Sequence, residues 1–348
     1  MKHWWKALSI LLLGYALFVG LTTPVGPGIA GVSSQRFELR TDTPQNIEII
    51  VEGYNTRFSA SDKPQVWLKK DSFYLCGAAE VMNERQLKTT FNISGSLSER
   101  YNQQAFTLVI QNKTDGLFLS PSIITLSTTG EIPVQSCTSP ASITPASYYN
   151  FPFRSVLFES IRNLNYHVPM WFSMIALLFV SFVFSILYLN KLNPAYDRKA
   201  SQLADAGLLF GILGITTGAF WARFTWGVFW SPDPKLNGAA IGVLIYLAYN
   251  ILRSTVQDSS KVGRLAAVYN IMAFPIFIVL IIVLPKVADF SLHPGSGDSV
   301  GFNNYDLDNN LRKVFYPAVL GWILLGFWMA QMRWRIIKLE QQHEEENE

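Results

Sequence analysis

Six apolar runs constrain the fold of this chain more than any other feature of its sequence. One lies near the start and five follow residue 165: Ala7–Leu21, Val168–Leu189, Leu208–Trp221, Ala239–Leu252, Leu265–Leu284 and Val314–Met332. A helix needs about 20 mostly apolar residues to cross a bilayer. The shorter runs reach that length with flanking Gly, Ala and Thr, which membrane helices tolerate. The pattern therefore predicts a polytopic α-helical membrane protein with about six transmembrane helices, because backbone groups in lipid must be paired internally.

The first apolar run leaves two interpretations open. It follows the basic start Met-Lys-His-Trp-Trp-Lys, which is compatible with a cleaved signal peptide and with a retained helix. No small-residue cleavage site follows it cleanly. Instead, a segment rich in Pro and Gly (Thr22–Gly28) breaks the helix. We expect residues 1–28 to form a retained transmembrane anchor and its break.

Between residues 29 and 165 the pattern changes to short, strand-like runs. Apolar and polar residues alternate in Phe37–Arg40, Ile47–Val51, Gln65–Leu68 and Phe106–Ile110, and turn residues separate these runs. Alternation with a period of two is typical of half-buried strands. We expect an inserted, all-β, sandwich-like domain. It contains no histidine, which argues against a metal or acid–base site there.

The chain has two cysteines, Cys76 and Cys137, and both lie in this β region. They form no CxxC or CxxCH motif, so a thioredoxin-like redox centre and a c-type heme attachment site are excluded. A disulfide would fit an oxidising compartment. A pair of free buried cysteines is the other interpretation, and the sequence does not decide between them.

The charges orient the helices and exclude one class of function. Charged residues make up 15% of the chain, and the net charge of +3 with no basic run argues against a nucleic-acid partner. With six spans, most basic residues near the helix ends fall on one side: Lys2, Lys6, Lys191, Arg198, Lys199, Arg253, Lys261, Arg264, Arg333, Arg335 and Lys338. The other side carries fewer: Arg223, Lys235, Lys286, Arg312 and Lys313. The positive-inside rule makes the first side cytoplasmic. The β domain is then extracytoplasmic, and residues 336–348 form a charged cytoplasmic tail.

Two histidines are the candidate metal ligands. His167 lies at the outer end of the second helix and His293 lies in the loop after the fifth, so the topology places both on the outer face. The other two histidines, His3 and His343, lie at the cytoplasmic ends. Neutral imidazoles can ligate iron axially from opposite faces of a porphyrin. No catalytic nucleophile or acid–base pair is visible.

A tryptophan-rich segment, Trp221–Lys235, joins the third and fourth helices on the same face. Its flat rings offer a porphyrin an apolar surface, and its basic residues can pair with propionates. Asp233 is a candidate helix cap or an orienting group for this aromatic platform. The candidate cofactor-binding residues are Trp221, Arg223, Trp226, Phe229, Trp230, Asp233 and Lys235.

Each of these residues also has an ordinary structural interpretation. Tryptophans at a membrane boundary usually form an aromatic belt. A lone interfacial histidine is more often a polar cap than a ligand, and Arg223 and Lys235 can be snorkelling residues. The prediction of a binding site therefore depends on the combination of the two histidines with the tryptophan-rich segment.

The segment Trp226–Asp233 reads Trp-Gly-Val-Phe-Trp-Ser-Pro-Asp and resembles the tryptophan-rich WWD signature of heme-handling membrane proteins, roughly Trp-Gly-x-x-Trp-x-Trp-Asp. Pro232 stands in place of the last tryptophan, and Phe229 in place of an aromatic residue that is often Trp. The words His-Val-Pro at His167 and Ser-Leu-His at His293 look like the two outer histidines of that family. With six helices, the chain resembles the CcmC branch, the heme chaperones of cytochrome c maturation, over about residues 165–335.

The resemblance implies a five-helix heme-handling domain in residues 166–335, within a bacterial inner (cytoplasmic) membrane. It implies heme b ligated by His167 and His293 and delivered to a periplasmic carrier of the CcmE kind. A heme chaperone is therefore expected rather than an independent enzyme. The β domain is additional to a minimal CcmC, and docking a partner and covering the heme are both open roles for it.

Two other functions stay open. One is a synthase component that attaches heme to apocytochrome directly, which would make the protein an enzyme. The other is a membrane receptor or transporter with a β ectodomain, in which the tryptophans are merely interfacial. Transporters often show internal repeats or charged residues within helices, and neither is clear in this sequence.

Overall fold

The computed structural model describes residues 3–39, 45–60, 63–93, 101–128, 136–140, 148–288, 291–293 and 307–347. The chain divides into two compact units. One comprises Met1–Thr22 with Ser160–Glu348, and the other comprises Thr23–Glu159. The first unit is helical and the second is built of strands.

Among the described residues, six helical segments are long and apolar enough to cross a membrane, as the sequence predicts. The helices are α1 (Trp4–Thr22), α2 (Leu164–Lys191), α3 (Pro194–Trp226), α4 (Pro234–Thr255), α5 (Ser259–Ile278), α6 (Leu284–Val287) and α7 (Asn309–Asn347). A π-helical turn, Val279–Val283, joins α5 to α6, so that Lys261–Val287 forms one span. A short 3₁₀ segment, Phe158–Asn163, precedes α2.

Two helix starts follow directly from the sequence. Asn193 and Asp233 each accept backbone N–H bonds with their side chains, and a proline follows each of them as the first residue of α3 and α4. Proline is favoured there because its missing N–H has no partner in the first turn. The sharp start of α4 matters for the site, because Asp233 also belongs to it.

A buried polar network fixes the centre of the helical unit. The side-chain amide of Asn270 in α5 donates to the hydroxyls of Ser181 and Ser185 in α2, each at 2.9 Å. Its oxygen accepts the Tyr246 hydroxyl of α4 at 3.1 Å. Asn270 and Ser181 are fully buried. Since buried polar groups are costly when unpaired, these bonds favour one packing of the helices.

The second unit is a single curved sheet of eight strands, a half-barrel. Its strands are β1 (Gly28–Val32), β2 (Arg36–Leu39), β3 (Gln45–Tyr54), β4 (Gln65–Lys70), β5 (Phe73–Val81), β6 (Gln86–Ile93), β7 (Gln104–Asn112) and β8 (Gly116–Thr128). Their order is β1-β3-β6-β5-β4-β7-β8-β2, and β2 and β8 are the one parallel pair among these described strands.

The all-β class is thus as predicted, but the sandwich-like arrangement is not. Strand β3 alternates buried and exposed residues along its length, as a strand with one covered face does. A sandwich and a half-barrel give the same alternation, since each buries one face of every strand. Here β5 pairs with both β4 and β6, which makes the sheet continuous around a single core.

A disulfide joins Cys76 in β5 to Cys137, which resolves the choice that the sequence left open. The cysteines are therefore not free. The N–H of Cys137 also donates to the Tyr74 carbonyl at 2.9 Å, and the Trp67 indole donates to the Thr138 carbonyl at 3.2 Å. These bonds hold residues 136–140 beside β4 and β5.

Candidate functional site

His167 lies in the first turn of α2, and its ring is tied to α3. Its Nδ1 atom lies 3.1 Å from the hydroxyl oxygen of Thr217. That hydroxyl donates its single hydrogen to the Leu213 carbonyl at 2.8 Å, so its oxygen is the acceptor toward His167. The imidazole also donates to the backbone carbonyl of Gly214, one turn earlier on α3. We assign the proton to Nδ1, which leaves the lone pair of Nε2 for a ligand.

Small and aromatic residues shape the surroundings of this ring. A Cβ added at Gly218 would lie 2.6 Å from Cε1 of His167, closer than real contacts allow, so the ring occupies the space that this glycine leaves. The rings of Trp221 and Trp171 meet it edge to face, with centroids 5.7 and 6.4 Å away. The imidazole is thus confined between α2 and α3.

Asp233 holds His293 and starts α4 at the same time. Its Oδ1 atom accepts the N–H of Lys235 at 2.9 Å and lies 3.2 Å from Nδ1 of His293. Its Oδ2 atom accepts the Ser291 hydroxyl at 2.9 Å and the Leu292 N–H at 2.7 Å. A carboxylate that accepts from Nδ1 fixes the tautomer of the imidazole. Nε2 is again the atom left for a ligand.

The electrostatics agree with this assignment of protons. Burial alone would raise the pKa of Asp233, but hydrogen bonds from Leu292 and Ser291 outweigh it and lower the pKa. Burial lowers the pKa of His293 to about 4, and the charge of Lys235 lowers it further, against the opposing effect of Asp233. At neutral pH the pair is therefore a carboxylate and a neutral imidazole.

The two histidines converge at one end of the helical unit. The two imidazoles are close enough to interact electrostatically with each other, and the ammonium group of Lys235 interacts with both of them. The Trp226 ring meets His293 edge to face at 5.1 Å. Trp221 and Trp226 thus flank one histidine each, at the end of α3.

Three other predicted residues contact different partners. The Arg223 guanidinium donates to the Gly227 carbonyl and lies over the Phe229 ring, 5.9 Å from its centroid. Trp230 donates its indole N–H to the Asn237 side chain at 3.3 Å. Phe229 and Trp230 are 54% and 41% exposed. They form an exposed apolar surface on the segment that joins α3 to α4.

The tryptophan-rich segment is less of a loop than its composition indicates. Helix α3 continues through Trp226 and ends at Gly227, whose φ of 80° is the left-handed conformation typical of helix C-caps. Trp221, Arg223 and Trp226 are therefore on a helix, and only residues 227–233 connect α3 to α4. Helical spacing directs Trp221 and Trp226 to the two histidines.

The sequence interpretation missed Thr217, Gly218, Trp171 and Ser291, all of which contact the histidines or Asp233. Trp171 stands four residues after His167, which places both on the same face of the helix. This spacing could have been recognised in the sequence. Thr217 and Gly218 gave no signal, because their role depends on how α3 packs against α2.

In the part of the chain that the structure describes, six helices are long and apolar enough to span a membrane, and two histidines have polar partners beside tryptophans. This combination defines a multi-pass membrane protein of a tryptophan-rich, paired-histidine class. Comparison with protein families specifies it further. The model of the CcmC family, described as heme exporter protein C, matches residues 146–348, more than half of the chain. The chain belongs to this family, and the resemblance seen in the sequence is confirmed.

Individual relatives carry matching names. Heme exporter protein C of Rhodobacter capsulatus is 26% identical over 192 residues, which are 54% of this chain and 76% of that protein. The namesake of Bradyrhizobium diazoefficiens is 35% identical over 117 residues, 32% of this chain. The chain spans only 43% of that relative's length. A cytochrome c biogenesis protein CcsA of Fagopyrum esculentum is 32% identical over 25% of this chain and 28% of its own length.

Proposed function

We propose that this protein binds heme between His167 and His293 and delivers it to a periplasmic carrier during cytochrome c maturation. One observation carries the proposal. Both imidazoles have Nδ1 engaged by a polar partner, Thr217 or Asp233, so both keep Nε2 for a ligand at the same end of the helical unit.

The donor set fits heme. Among the described residues, no group of three or more His, Cys, Asp or Glu side chains could hold a bare metal ion. Two imidazoles suffice when a macrocycle supplies the remaining equatorial ligands, as in bis-histidine heme. His293 is neutral at physiological pH, as ligation requires.

The neighbouring surface also fits a flat apolar ring. Phe220, Phe224 and Phe229 are 56%, 80% and 54% exposed, and Trp230 adds a fourth exposed ring. Phe220 and Phe229 meet edge to face at 6.0 Å. We assign this surface, with Trp221 and Trp226, to contact with the porphyrin.

Lys235 and Arg223 are the cations assigned to the propionates. Lys235 is within electrostatic range of both histidines, so a carboxylate of a molecule held there meets its charge. Arg223 is exposed and lies over Phe229, which keeps its guanidinium at the rim of the aromatic surface.

Each side chain has a defined task in this proposal. Heme, when bound, would supply the iron that the imidazoles ligate and the reactive vinyl groups. His167 and His293 bind and orient it through Nε2. Asp233 and Thr217 hold the imidazole protons at Nδ1, and the aromatic rings exclude water from its faces.

The site is proposed to face the periplasm, with the protein in the bacterial inner membrane. The excess of basic residues at the opposite helix ends supports this orientation. The Cys76–Cys137 disulfide supports it independently, because such bonds persist in oxidising compartments. A CcmE-like carrier is the proposed acceptor, since related chains are named heme exporters.

Absorption spectra of the detergent-purified protein test the proposal. We expect a six-coordinate low-spin heme spectrum in the wild type, lost or converted in His167→Ala and in His293→Ala. His343→Ala, which changes a histidine near the far end of α7, is the matched control and should keep the wild-type spectrum. If the wild-type protein purifies without heme and takes up none when heme is added, the proposal is wrong. The receptor or transporter interpretation would then remain.

A second candidate is a component of a cytochrome c synthase. The similarity to CcsA over a quarter of the chain favours it. Reconstitution with reduced heme and an apocytochrome distinguishes the two. Covalent cytochrome c formed without a carrier supports the synthase, and heme that stays on this chain until a carrier is added supports the chaperone.

A further inference from the structure

The two histidines are held by chemically unequal partners. His293 donates from Nδ1 to the ionised carboxylate of Asp233, at 3.2 Å. The partners of His167 are neutral: its Nδ1 atom lies 3.1 Å from the hydroxyl of Thr217, and its ring also donates to the Gly214 carbonyl. The distances are nearly equal, so the difference between the two bonds is one of charge.

This difference changes the strength of each imidazole as a ligand. A hydrogen bond to an ionised acceptor is roughly twice as strong as one between neutral groups. A carboxylate partner also raises the basicity of a ligating histidine. The Thr217 hydroxyl contributes less, because its oxygen carries no charge. Nε2 of His293 is therefore the better donor to a metal.

The backbone reinforces the same order. The carboxylate of Asp233 holds the short segment of His293 through two further bonds, from the Ser291 hydroxyl at 2.9 Å and the Leu292 N–H at 2.7 Å. His167 is confined by packing against Gly218, Trp171 and Trp221. That packing restricts the ring sideways and adds no electron density at Nε2.

We propose that His293 is the retaining ligand of the heme and His167 the exchangeable one, with Thr217 as the positioning residue that sets how easily His167 leaves. This inference rests on the proposed function. In the exchange, the Nε2 lone pair of His167 leaves the iron as an entering ligand supplies its own pair, and no electron or proton is transferred. The acceptor's ligand would enter on the His167 side.

Carbon monoxide binding to the reduced, heme-loaded, full-length protein measures the exchange. Thr217→Val keeps the shape of the side chain and removes one of the two neutral acceptors of His167, while the Gly214 carbonyl remains. We expect carbon monoxide to bind about two- to tenfold faster, as loss of one ordinary hydrogen bond allows. Thr216→Val is the matched control, because the bond of the Thr216 hydroxyl within the described residues is to the Ile212 carbonyl on the same helix. An unchanged rate in Thr217→Val overturns the role of Thr217.

Vibrational spectra of the carbon monoxide complex identify the ligand that stays. The Fe–C and C–O stretching frequencies respond to the ligand opposite carbon monoxide. We expect Asp233→Asn to shift them and Thr217→Val to leave them at wild-type values. The reverse pattern shows that His293 leaves first and overturns the proposal. If Asp233→Asn does not fold, Ser291→Ala, which removes one bond to the same carboxylate, gives the same comparison with a smaller shift.

The two proposals fail in different ways. A wild-type protein with no six-coordinate low-spin heme fails the proposed function before carbon monoxide is added. A protein with that spectrum, in which carbon monoxide displaces His293, keeps the proposed function and fails only the order of exchange.

Discussion

The carboxylate of Asp233 lies 3.2 Å from Nδ1 of His293, 60 residues further along the chain, while it caps the first turn of α4. One side chain thus joins the end of the tryptophan-rich segment to the histidine segment. The sequence suggested two alternatives for Asp233, a helix cap or an orienting group for the aromatic platform. The structure shows the cap, and it adds bonds to the histidine segment that the sequence did not indicate. A change at this residue should therefore affect helix stability and histidine position together.

We predict that Asp233→Ala destabilises the protein more than the loss of an ordinary helix cap. A cap residue replaced by alanine costs about 0.5–2 kcal/mol. Here the change also leaves Leu292 and Ser291 without their acceptor. Thermal unfolding in detergent should show a larger fall for Asp233→Ala than for Asp308→Ala, which removes a cap bond to Leu311 in α7. Equal falls would show that Asp233 acts as a cap alone.

The pKa of His293 leads to a prediction about pH. Burial lowers this pKa from 6.5 to about 4, so the folded protein favours the neutral imidazole. Between these two pH values the unfolded chain binds more protons than the folded protein. The contribution of His293 to the stability of the folded protein therefore falls as the pH drops from about 6.5 toward 4. The stability difference between wild type and His293→Asn, which cannot titrate, should shrink across this range. A difference that is constant from pH 7 to pH 4.5 would contradict the buried, neutral imidazole.

The hydropathy of the sequence predicts the six spans, because length and apolar composition are local properties. The short sequence motifs predict that His167, His293 and Asp233 are site residues, because the spacing of the family signature is preserved around Trp226–Asp233. The sequence patterns did not predict the hydrogen-bond partners of the histidines. Thr217 reaches His167 only because α2 and α3 pack at this register, and a threonine in an apolar helix usually bonds its own backbone, as Thr216 does.

The β unit shows the same limit for sheet topology. Alternation along β3 predicts that one face of the strand is covered. It does not predict that β5 pairs with both β4 and β6 and so joins the strands into one sheet. The pairing of Cys76 with Cys137 likewise depends on how residues 136–140 lie along β5. Each of these features is a contact between distant segments, which no local pattern encodes.

The disulfide should stabilise the β unit locally. The cysteines are 61 residues apart, and closing a loop of that length contributes about 4 kcal/mol in the chain-entropy model. We predict that the double variant Cys76→Ser, Cys137→Ser exchanges the amide hydrogens of β4 and β5 faster. Hydrogen-exchange mass spectrometry of the full chain measures this, with α2 and α3 as the internal reference. Unchanged exchange in β4 and β5 would show that the sheet alone fixes this region.

Helix α1 should be retained in the purified protein. Its Ser9 is fully buried and donates to the Gly321 carbonyl of α7 at 2.9 Å. At its other end, the Gly20 carbonyl accepts Arg162 at 2.9 Å. Intact-mass measurement should find residues 4–22 present, and Ser9→Leu should destabilise the protein. A mass that lacks this segment would support the signal-peptide interpretation.

The space at Gly218 should control the position of His167. A methyl group there would lie 2.6 Å from Cε1, so Gly218→Ala must displace the ring and lengthen its bond to Thr217. We predict that Gly218→Ala retains less heme after purification and shows a larger high-spin fraction, while the protein still folds. Gly14→Ala is the matched control, because an added Cβ at Gly14 in α1 meets nothing within 4 Å. Alanine also favours a helix by about 1 kcal/mol over glycine, so Gly14→Ala should keep or raise stability. Equal heme content in both variants would show that the position of the His167 ring does not limit binding.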